Sequence, residues 1–203
     1  CAYANSVYSL CVLGDRLRSV RDFTPEDKIA IPSFGGTNHL KLARLAAGQL
    51  GSPSALNPML VEMAQPDAIQ ALMSGGVAGT FMSFPYNYAQ QAQEGVRVLY
   101  ESAFDETTTE LLAVATKDLH DNHRALYDAL AAATRDAVGY IREHPDEVAD
   151  ILAGEYKVDP AKMREWLGAL DFHTVPKGVE DSLALMMELE LMGEVPEALP
   201  ALY

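Results

Sequence analysis

Hydroxyl, amide and glycine residues cluster in one short stretch of this chain. An apolar segment that reads as a β-strand, Ile29–Ile31, precedes the cluster, and Leu40–Leu50 follows it with the apolar spacing of an α-helix. Backbone N–H groups at a helix N-terminus, together with the helix dipole, favour an anionic or polar group in front of the helix. The predicted ligand-binding cluster consists of Ser33, Phe34, Gly35, Gly36, Thr37 and Asn38.

The same stretch also fits a purely structural interpretation. Thr37 or Asn38 could cap the helix, and Gly35–Gly36 could form only a turn. The stretch contains neither the Walker A pattern nor the glycine spacing of a dinucleotide site, so neither kind of nucleotide site is predicted.

A second polar and aromatic cluster follows the predicted strand Val77–Met82. In parallel sheets ligands bind at the carboxyl ends of the strands, so this cluster and the first are expected at one edge. Aromatic side chains in such a position can wall a pocket, although packing in the core is the alternative for each of them. The residues concerned are Ser83, Phe84, Tyr86 and Asn87.

Strand and helix patterns alternate along the first hundred residues, which favours βαβ units and a mainly parallel sheet. Leu111–Thr116 reads as a further strand, and its apolar run predicts burial on both faces. Beyond it the chain becomes helical and acidic, with one long helix predicted over Asp118–Arg142 and shorter helices after His144–Pro145.

The composition is that of a globular α/β protein, with 49% hydrophobic and 22% charged residues among 203. The formal net charge of −14 argues against a nucleic-acid partner, which would require a basic face. The charge is uneven: residues 1–50 carry six Lys/Arg against four Asp/Glu, whereas residues 141–203 carry five against fourteen. The glycine cluster therefore lies in the least acidic part of the chain.

Residues that could act as catalysts are few. His39 lies beside the glycine cluster and could face a ligand or be structural, whereas the His120 and His123 pair reads as a solvated helix start. Carboxylate pairs such as Asp105–Glu106 look like exposed turns, and a lipid anchor on Cys1 or a Cys1–Cys11 disulfide stays open. The inventory favours a binding protein without a metal or cofactor over an enzyme.

Eight segments form an ordered set of motifs, namely Lys28–Thr37, Asp67–Thr80, Phe84–Asn87, Gly95–Leu99, Leu111–Thr116, Asp118–Ile141, His144–Glu147 and Met192–Pro196. In this order and spacing they resemble the periplasmic solute-binding proteins of nitrate/sulfonate/taurine-type ABC transporters, within a superfamily that includes thiamine-pyrimidine proteins. The resemblance covers nearly the whole chain, although Gly76–Gly79 lacks the aspartate that the family usually carries there.

The resemblance implies a two-lobed type II periplasmic binding protein architecture, with a mostly parallel sheet in lobe two and a helical C-terminal part in lobe one. It places a crossover strand and a remnant of lobe one at residues 1–14, lobe two at 15–108, and the return crossover and helices at 109–203. Family members usually carry a further βαβ segment before Val7–Leu13, so the sequence is expected to be N-terminally incomplete.

The function implied by the resemblance is capture of a small anionic or polar solute by hinge closure. The solute would be a sulfonate, nitrate, carboxylate or pyrimidine, the protein a monomer, and the partner an ABC permease in the membrane. The expected location is periplasmic or extracellular. An enzyme on the same fold, acting in thiamine-pyrimidine synthesis or aromatic acid decarboxylation, and a ligand-sensing effector domain remain the alternatives.

Overall fold

A computed structural model describes residues 1–102 and 108–192. The Asp105–Glu106 pair and residues 193–196 of the final family motif lie outside the described residues. Every statement of structure below concerns the described part of the chain.

The described chain alternates strands and helices in its first half and is mainly helical in its second half. The strands are β1 (Ala2–Asn5), β2 (Tyr8–Leu13), β3 (Ile29–Ile31), β4 (Leu60–Glu62), β5 (Gly79–Ser83), β6 (Val96–Ser102), β7 (Leu111–Leu112) and β8 (Asp171–Phe172). The α-helices are α1 (Thr37–Leu50), α2 (Gln65–Met73), α3 (Tyr86–Gln91), α4 (Lys117–Asn122), α5 (Arg124–Glu143), α6 (Pro145–Tyr156), α7 (Pro160–Gly168) and α8 (Val179–Glu188). Short 3₁₀ turns lie at Val20–Asp22 and Asn57–Met59.

A five-stranded sheet in the order β4-β3-β5-β2-β6 forms the centre of one compact unit, which comprises residues 7–102 and 182–192 of the described chain. Strands β4, β3 and β5 are parallel, as the alternation of strands and helices predicts. Strand β2 lies antiparallel between β5 and β6. The stretch Val7–Leu13, predicted to be a crossover, therefore contributes an inner strand of this sheet.

Both faces of the five-stranded sheet are buried. Ile29 and Ile31 of β3 point into one apolar cluster with Leu10 and Phe81, whereas Ala30 between them points into a second cluster with Met82. The side-chain period of two in a strand places successive residues on opposite faces. Helices cover both faces, which explains why these strands are continuous apolar runs instead of alternating ones.

The second compact unit comprises residues 1–6 and 108–181 of the described chain, and contains a small sheet in the order β7-β1-β8. Its strands are antiparallel, with Ala4 of β1 paired to Leu111 on one side and Phe172 on the other. Buried apolar residues hold its helices together, namely Val138, Val148, Ala149, Ala153, Met163 and Leu167.

Two predictions for this second unit are wrong. The strand predicted over Leu111–Thr116 is only two residues long and is not buried on both faces, since Val114 is 84% exposed. It pairs with β1 alone, and the Ala113 N–H still donates to the Cys1 carbonyl at 2.8 Å, but no strand is assigned beyond Leu112 in this apolar run.

The helix predicted over Asp118–Arg142 is divided at His123, which ends α4 and begins α5 with non-helical dihedral angles. Asp, Asn and His surround the break, and short polar side chains of this kind compete with the helical backbone for hydrogen bonds. None of the described helices combines the length and the apolar composition needed to cross a bilayer.

Candidate ligand-binding edge

Three parallel strands end together at one edge of the five-stranded sheet. Ile29 pairs in register with Leu60 of β4 and with Gly79 of β5, so the residues after the three strands are neighbours. The carboxyl edge of such a sheet is the usual place for a ligand in open α/β folds. We call this region, formed by residues 32–38, 62–67 and 83–87, the carboxyl edge.

The first loop of the carboxyl edge leads directly into helix α1. Gly36 has extended dihedral angles and is the N-cap, and no described side chain caps the helix. The predicted alternative, a cap from Thr37 or Asn38, is therefore not the geometry observed. Gly35 adopts a φ of +74°, which favours glycine, and a Cβ on Gly36 would lie 2.6 Å from Ser33 Oγ. Both glycines thus fit their backbone positions closely.

Hydrogen bonds tie the three loops of the carboxyl edge to each other. The Phe34 N–H donates to Glu62 Oε1 at 2.7 Å, joining the loop after β3 to the end of β4. The Ser83 N–H donates to Gln65 Oε1 at 3.1 Å, which joins the end of β5 to the start of α2. Asn38 Nδ2 donates to the Phe81 carbonyl at 2.9 Å. These bonds connect the loops of the carboxyl edge to each other and to the sheet.

His39 is structural, which decides between the two interpretations that the sequence left open. Its ring is 1% exposed, its Nδ1 accepts the Gly35 N–H at 3.0 Å, and its Nε2 lies 3.1 Å from Asn57 Oδ1. An Nδ1 that accepts a hydrogen bond carries no proton, so the proton is on Nε2 and the ring is neutral. His39 therefore holds the shape of the glycine loop and is not exposed to a substrate.

The second predicted cluster begins at the end of β5. The Ser83 hydroxyl is paired with Gln65, whereas Phe84 and Tyr86 are half-buried. Asn87 on α3 is fully buried, and neither its Nδ2 nor its Oδ1 has a hydrogen-bond partner among the described residues. A buried amide without partners costs free energy, so Asn87 is a group for which a solute or a water would supply the missing bonds.

The structure brings the two predicted clusters to the same edge, but it gives their side chains different surroundings. Ser33 and Phe34 are exposed, and the Phe34 ring packs edge-on against His39 with centroids 5.4 Å apart. Thr37 is half-buried at the first position of α1, whereas the amide of Asn38 is used by the backbone of β5. The edge thus presents mainly hydroxyls, backbone donors and aromatic rings.

Sequence reasoning missed Glu62 and Gln65 as members of this edge. Glu62 is the last residue of β4 and Gln65 is the first residue of α2, and each accepts a hydrogen bond from one of the two predicted clusters. A signal is present in the sequence, because the polar Glu62 directly follows the apolar pair Leu60–Val61. It is weak by itself, since polar residues follow most strands.

The other residues that could act in catalysis or metal binding lie outside the carboxyl edge. Burial, with a smaller contribution from the charge of Glu101, raises the pKa of the Cys11 thiol to about 12, so this thiol stays protonated at neutral pH. Cys1 and Cys11 are both free. His120 and His123 are exposed and lie beside Asp121 and Asp118, and no group of described residues is arranged to hold a metal ion.

Residues 3–148 match the family described as NMT1/THI5 like. The chain belongs to this family. The match covers all five strands of the five-stranded sheet and the whole of α5, so the carboxyl edge lies entirely within the family region. A search of curated proteins found no significant match.

Solved structures similar to this member of the NMT1/THI5-like family include sulfonate-binding proteins. The aliphatic sulphonate binding protein SsuA from Escherichia coli is 20% identical with a TM-score of 0.63, covering 94% of this chain and 63% of that one. SsuA from Xanthomonas axonopodis pv. citri, solved with MOPS bound, is 17% identical with a TM-score of 0.69, covering 94% and 67%.

A third similar structure is the zinc-bound ligand-binding component of an ABC-type import system from Staphylococcus aureus. It is 16% identical with a TM-score of 0.71, and the match covers 94% of this chain and 67% of that one. The chain thus spans about two thirds of the length of these structures or slightly less. At these identities the likeness establishes the fold, which is the two-lobed α/β fold of periplasmic binding proteins.

Proposed function

We propose that this chain is the solute-binding component of an ABC importer and acts without a chemical step. The observation that carries the proposal is the carboxyl edge: three parallel strands end in loops that present hydroxyls, backbone donors and aromatic rings. Membership in the NMT1/THI5-like family and likeness to binding components of ABC import systems support it.

In this proposal the solute is a small polar or anionic organic molecule of the sulfonate, nitrate, carboxylate or pyrimidine type. Ser33, Thr37 and the backbone of the glycine loop bind its head group, helped by the N-terminus of α1. Phe34, Phe84 and Tyr86 form the walls of the site. The solute supplies the hydrogen bonds that the Asn87 amide lacks.

Capture would occur by closure of two lobes on the solute, with ligand contacts shifting the population towards the closed form. The closed, solute-loaded form would then dock on a membrane permease, which implies a periplasmic or extracellular location. Transport by such a protein depends on binding alone, so solute binding by the purified chain is the property to test.

The test is thermal unfolding of the purified chain with increasing ethanesulfonate, nitrate, benzoate or 4-aminopyrimidine. A compound that binds only the folded form raises the unfolding midpoint as its concentration rises. We expect at least one compound to do so. We further expect Ser33→Ala and Thr37→Val each to weaken that compound's binding about tenfold, because each removes one hydroxyl, while the midpoint without ligand changes little.

Ser74→Ala is the matched control, since Ser74 is an exposed serine at the end of α2 that bonds only to its own helix. Its affinity for the compound should equal that of the wild type. Unchanged affinity in both loop variants would reject the assignment of the glycine loop. A cooperative transition that no compound shifts would count against solute binding itself.

A further inference from the structure

An apolar seam runs along an exposed side of helix α5. Its residues follow each other at alternating steps of four and three, namely Leu126, Leu130, Ala133, Ala137 and Tyr140. Leu126 is 55%, Leu130 is 51% and Tyr140 is 42% exposed, and both alanines are exposed as well. Steps of four and three give the 3.5-residue period of a coiled-coil helix, so these side chains lie in one line about 21 Å long. We call this line the α5 seam.

The α5 seam is distinct from the side of the helix that packs within its own unit. That side carries Val138, which is buried, with Thr134 and Ile141 half-buried beside it. The open groove along α5 has a volume of about 370 Å³ and is lined by three residues of the seam as well as by Tyr3 and Phe172. A helix that packs only within its own domain needs a single apolar stripe, so the seam is not required for the packing of this unit.

The charges around the α5 seam are acidic. Asp136 and Glu143 are exposed and border the seam on the side away from the groove. The three arginines of the helix, Arg124, Arg135 and Arg142, lie on its opposite face. Helix α6, which follows directly, carries four acidic residues and no basic one. The seam is therefore apolar along its centre and negatively charged at its open border.

A second helix with basic residues beside its apolar stripe fits this surface. Side chains with a 3.5-residue period interlock with those of another helix that repeats in the same way. Lysine or arginine beside the partner's apolar residues would pair with Asp136 and Glu143. A second copy of this chain would instead bring a net charge of −14 against an acidic border, and an anionic bilayer would be repelled for the same reason.

We propose that the α5 seam is a docking surface for a basic amphipathic helix of a partner protein. The partner's apolar residues pack along the seam and into the groove beside it, and its basic residues face Asp136 and Glu143. This inference goes beyond solute binding, because α5 belongs to the unit of residues 1–6 and 108–181, whereas the carboxyl edge belongs to the other unit. Either activity can fail without the other.

The experiment is calorimetric titration of the purified chain with synthetic three-heptad peptides that carry leucine at the a and d positions. The basic peptide has lysine at the e and g positions, and the acidic peptide has glutamate there. We expect the basic peptide to bind about tenfold more tightly than the acidic one. A scrambled basic peptide of the same composition should bind no better than the acidic one, because it lacks the apolar spacing that matches the seam.

Variants of α5 separate the apolar contribution from the charge. Leu126→Ser should weaken binding of the basic peptide about tenfold, while the exposed position leaves the fold intact by circular dichroism. Asp136→Asn combined with Glu143→Gln should weaken it about fivefold, because the attraction at the border is lost. Arg135→Gln is the matched control, since Arg135 is an exposed residue on the opposite face of the same helix. Its affinity should stay within about twofold of the wild type.

Three results would overturn the proposal. The first is equal affinity for the basic and acidic peptides, or an unchanged affinity in Leu126→Ser. The second is a dimer of the chain alone in sedimentation experiments that Leu126→Ser dissociates, which would make a second copy the occupant of the seam. The third is binding to phosphatidylglycerol vesicles that Leu126→Ser abolishes, which would make the surface a membrane contact. Each of these results leaves the solute-binding test of the carboxyl edge unaffected.

Discussion

At the scale of single residues, the polar side chains of the glycine loop divide into those that hold the loop and those that face outward. The sequence predicts Asn38 as a ligand contact and leaves the role of His39 open, yet the Asn38 amide and the His39 ring bond to the Phe81 carbonyl, Gly35 and Asn57. Ser33 and Phe34 are exposed. A polar residue near a strand end therefore indicates where a candidate binding site lies. Its hydrogen-bond partners determine whether its side chain holds the loop or faces outward.

Asp27 is a second residue whose surroundings determine its charge state. Its carboxylate accepts hydrogen bonds from the Arg16 guanidinium and from the N–H and hydroxyl of Thr24, and these bonds hold the pKa of Asp27 below its usual value. The charged form is thus favoured by folding. Its contribution to stability is present above the unfolded-state pKa near 4 and is lost as the pH falls through the lower folded-state pKa.

Asp27→Asn should therefore lower the free energy of unfolding by about 1 kcal/mol at pH 7. The difference from the wild type should shrink as the pH falls below about 4, because the wild-type carboxylate then becomes protonated as well. Urea unfolding at pH 7, 5 and 3 measures this.

The control is Asp15→Asn, which removes a largely exposed carboxylate paired with Arg97 and should change stability by less than about 0.5 kcal/mol. A difference between Asp27→Asn and the wild type that stays constant from pH 7 to pH 3 would contradict the role of the ionised carboxylate.

At the scale of elements, the carboxyl edge follows from the packing of three short strands. Strands β3 and β4 have only three residues each, and their register with β5 brings the loops together. Hydrogen bonds accepted by Glu62 Oε1 and Gln65 Oε1 then connect loops, between residues that are 28 and 18 positions apart in sequence. The arrangement of the three loops therefore depends on contacts between residues distant in sequence, and not only on the local sequence of each loop.

Helix α5 shows how an amphipathic sequence can leave its apolar face uncovered. Its twenty residues carry apolar side chains with helical spacing, yet Val138 is the one fully buried residue described on it. An open apolar groove of about 370 Å³ runs along this face and is lined by Tyr3, Leu130, Ala133, Thr134, Ala137, Val138, Ile141 and Phe172.

Two substitutions in α5 test this description. Leu126 is 55% exposed, so Leu126→Lys should change the free energy of unfolding by less than about 0.5 kcal/mol. Val138 is 4% exposed, so Val138→Ala should cost about 2 kcal/mol through lost burial and the cavity that remains. Denaturant unfolding of both variants gives the comparison.

Circular dichroism of each variant is the control, because both must keep the helical signal of the wild type. A cost for Leu126→Lys that approaches the cost for Val138→Ala would show that this face of α5 is covered in solution.

At the scale of the whole molecule, the described chain contains two compact units with different cores. The unit around the five-stranded sheet buries whole strands on both faces, with Ile29, Ala30 and Ile31 all inaccessible. In the other unit, β7 has two residues and α5 is mostly exposed. Local stability depends on buried contacts, so the two units should not open with equal free energies.

Hydrogen exchange measured by mass spectrometry tests this difference. Peptides that cover β2, β3 and β5 should exchange most slowly, because their amides pair within a sheet that is buried on both faces. Peptides that cover residues 111–116 and the first two turns of α5 should exchange faster.

Exchange by the α5 peptides as slow as that of β5 would contradict the expectation. The fully denatured chain provides the reference for complete exchange, so that differences in intrinsic rates between peptides are removed.

The sequence by itself determined the class of the fold and the place of the candidate site. Local signals sufficed for this, because Ile29–Ile31, the glycine pair and the apolar face of α1 each show their period within a few residues. The order of such segments also carried the resemblance to solute-binding proteins, and the NMT1/THI5-like match confirms that membership.

Only the tertiary structure decided which side chains at that site have hydrogen-bond partners within the protein and which do not. The neutral, buried His39, the unpartnered Asn87 and the carboxylate of Glu62 at the Phe34 N–H depend on residues distant in sequence. The exposure of Leu111–Thr116 was decided in the same way, since an apolar run is buried only where a neighbour covers it. Sequence periodicity indicates which face of a helix or strand is apolar, whereas long-range packing determines which residues, if any, cover that face.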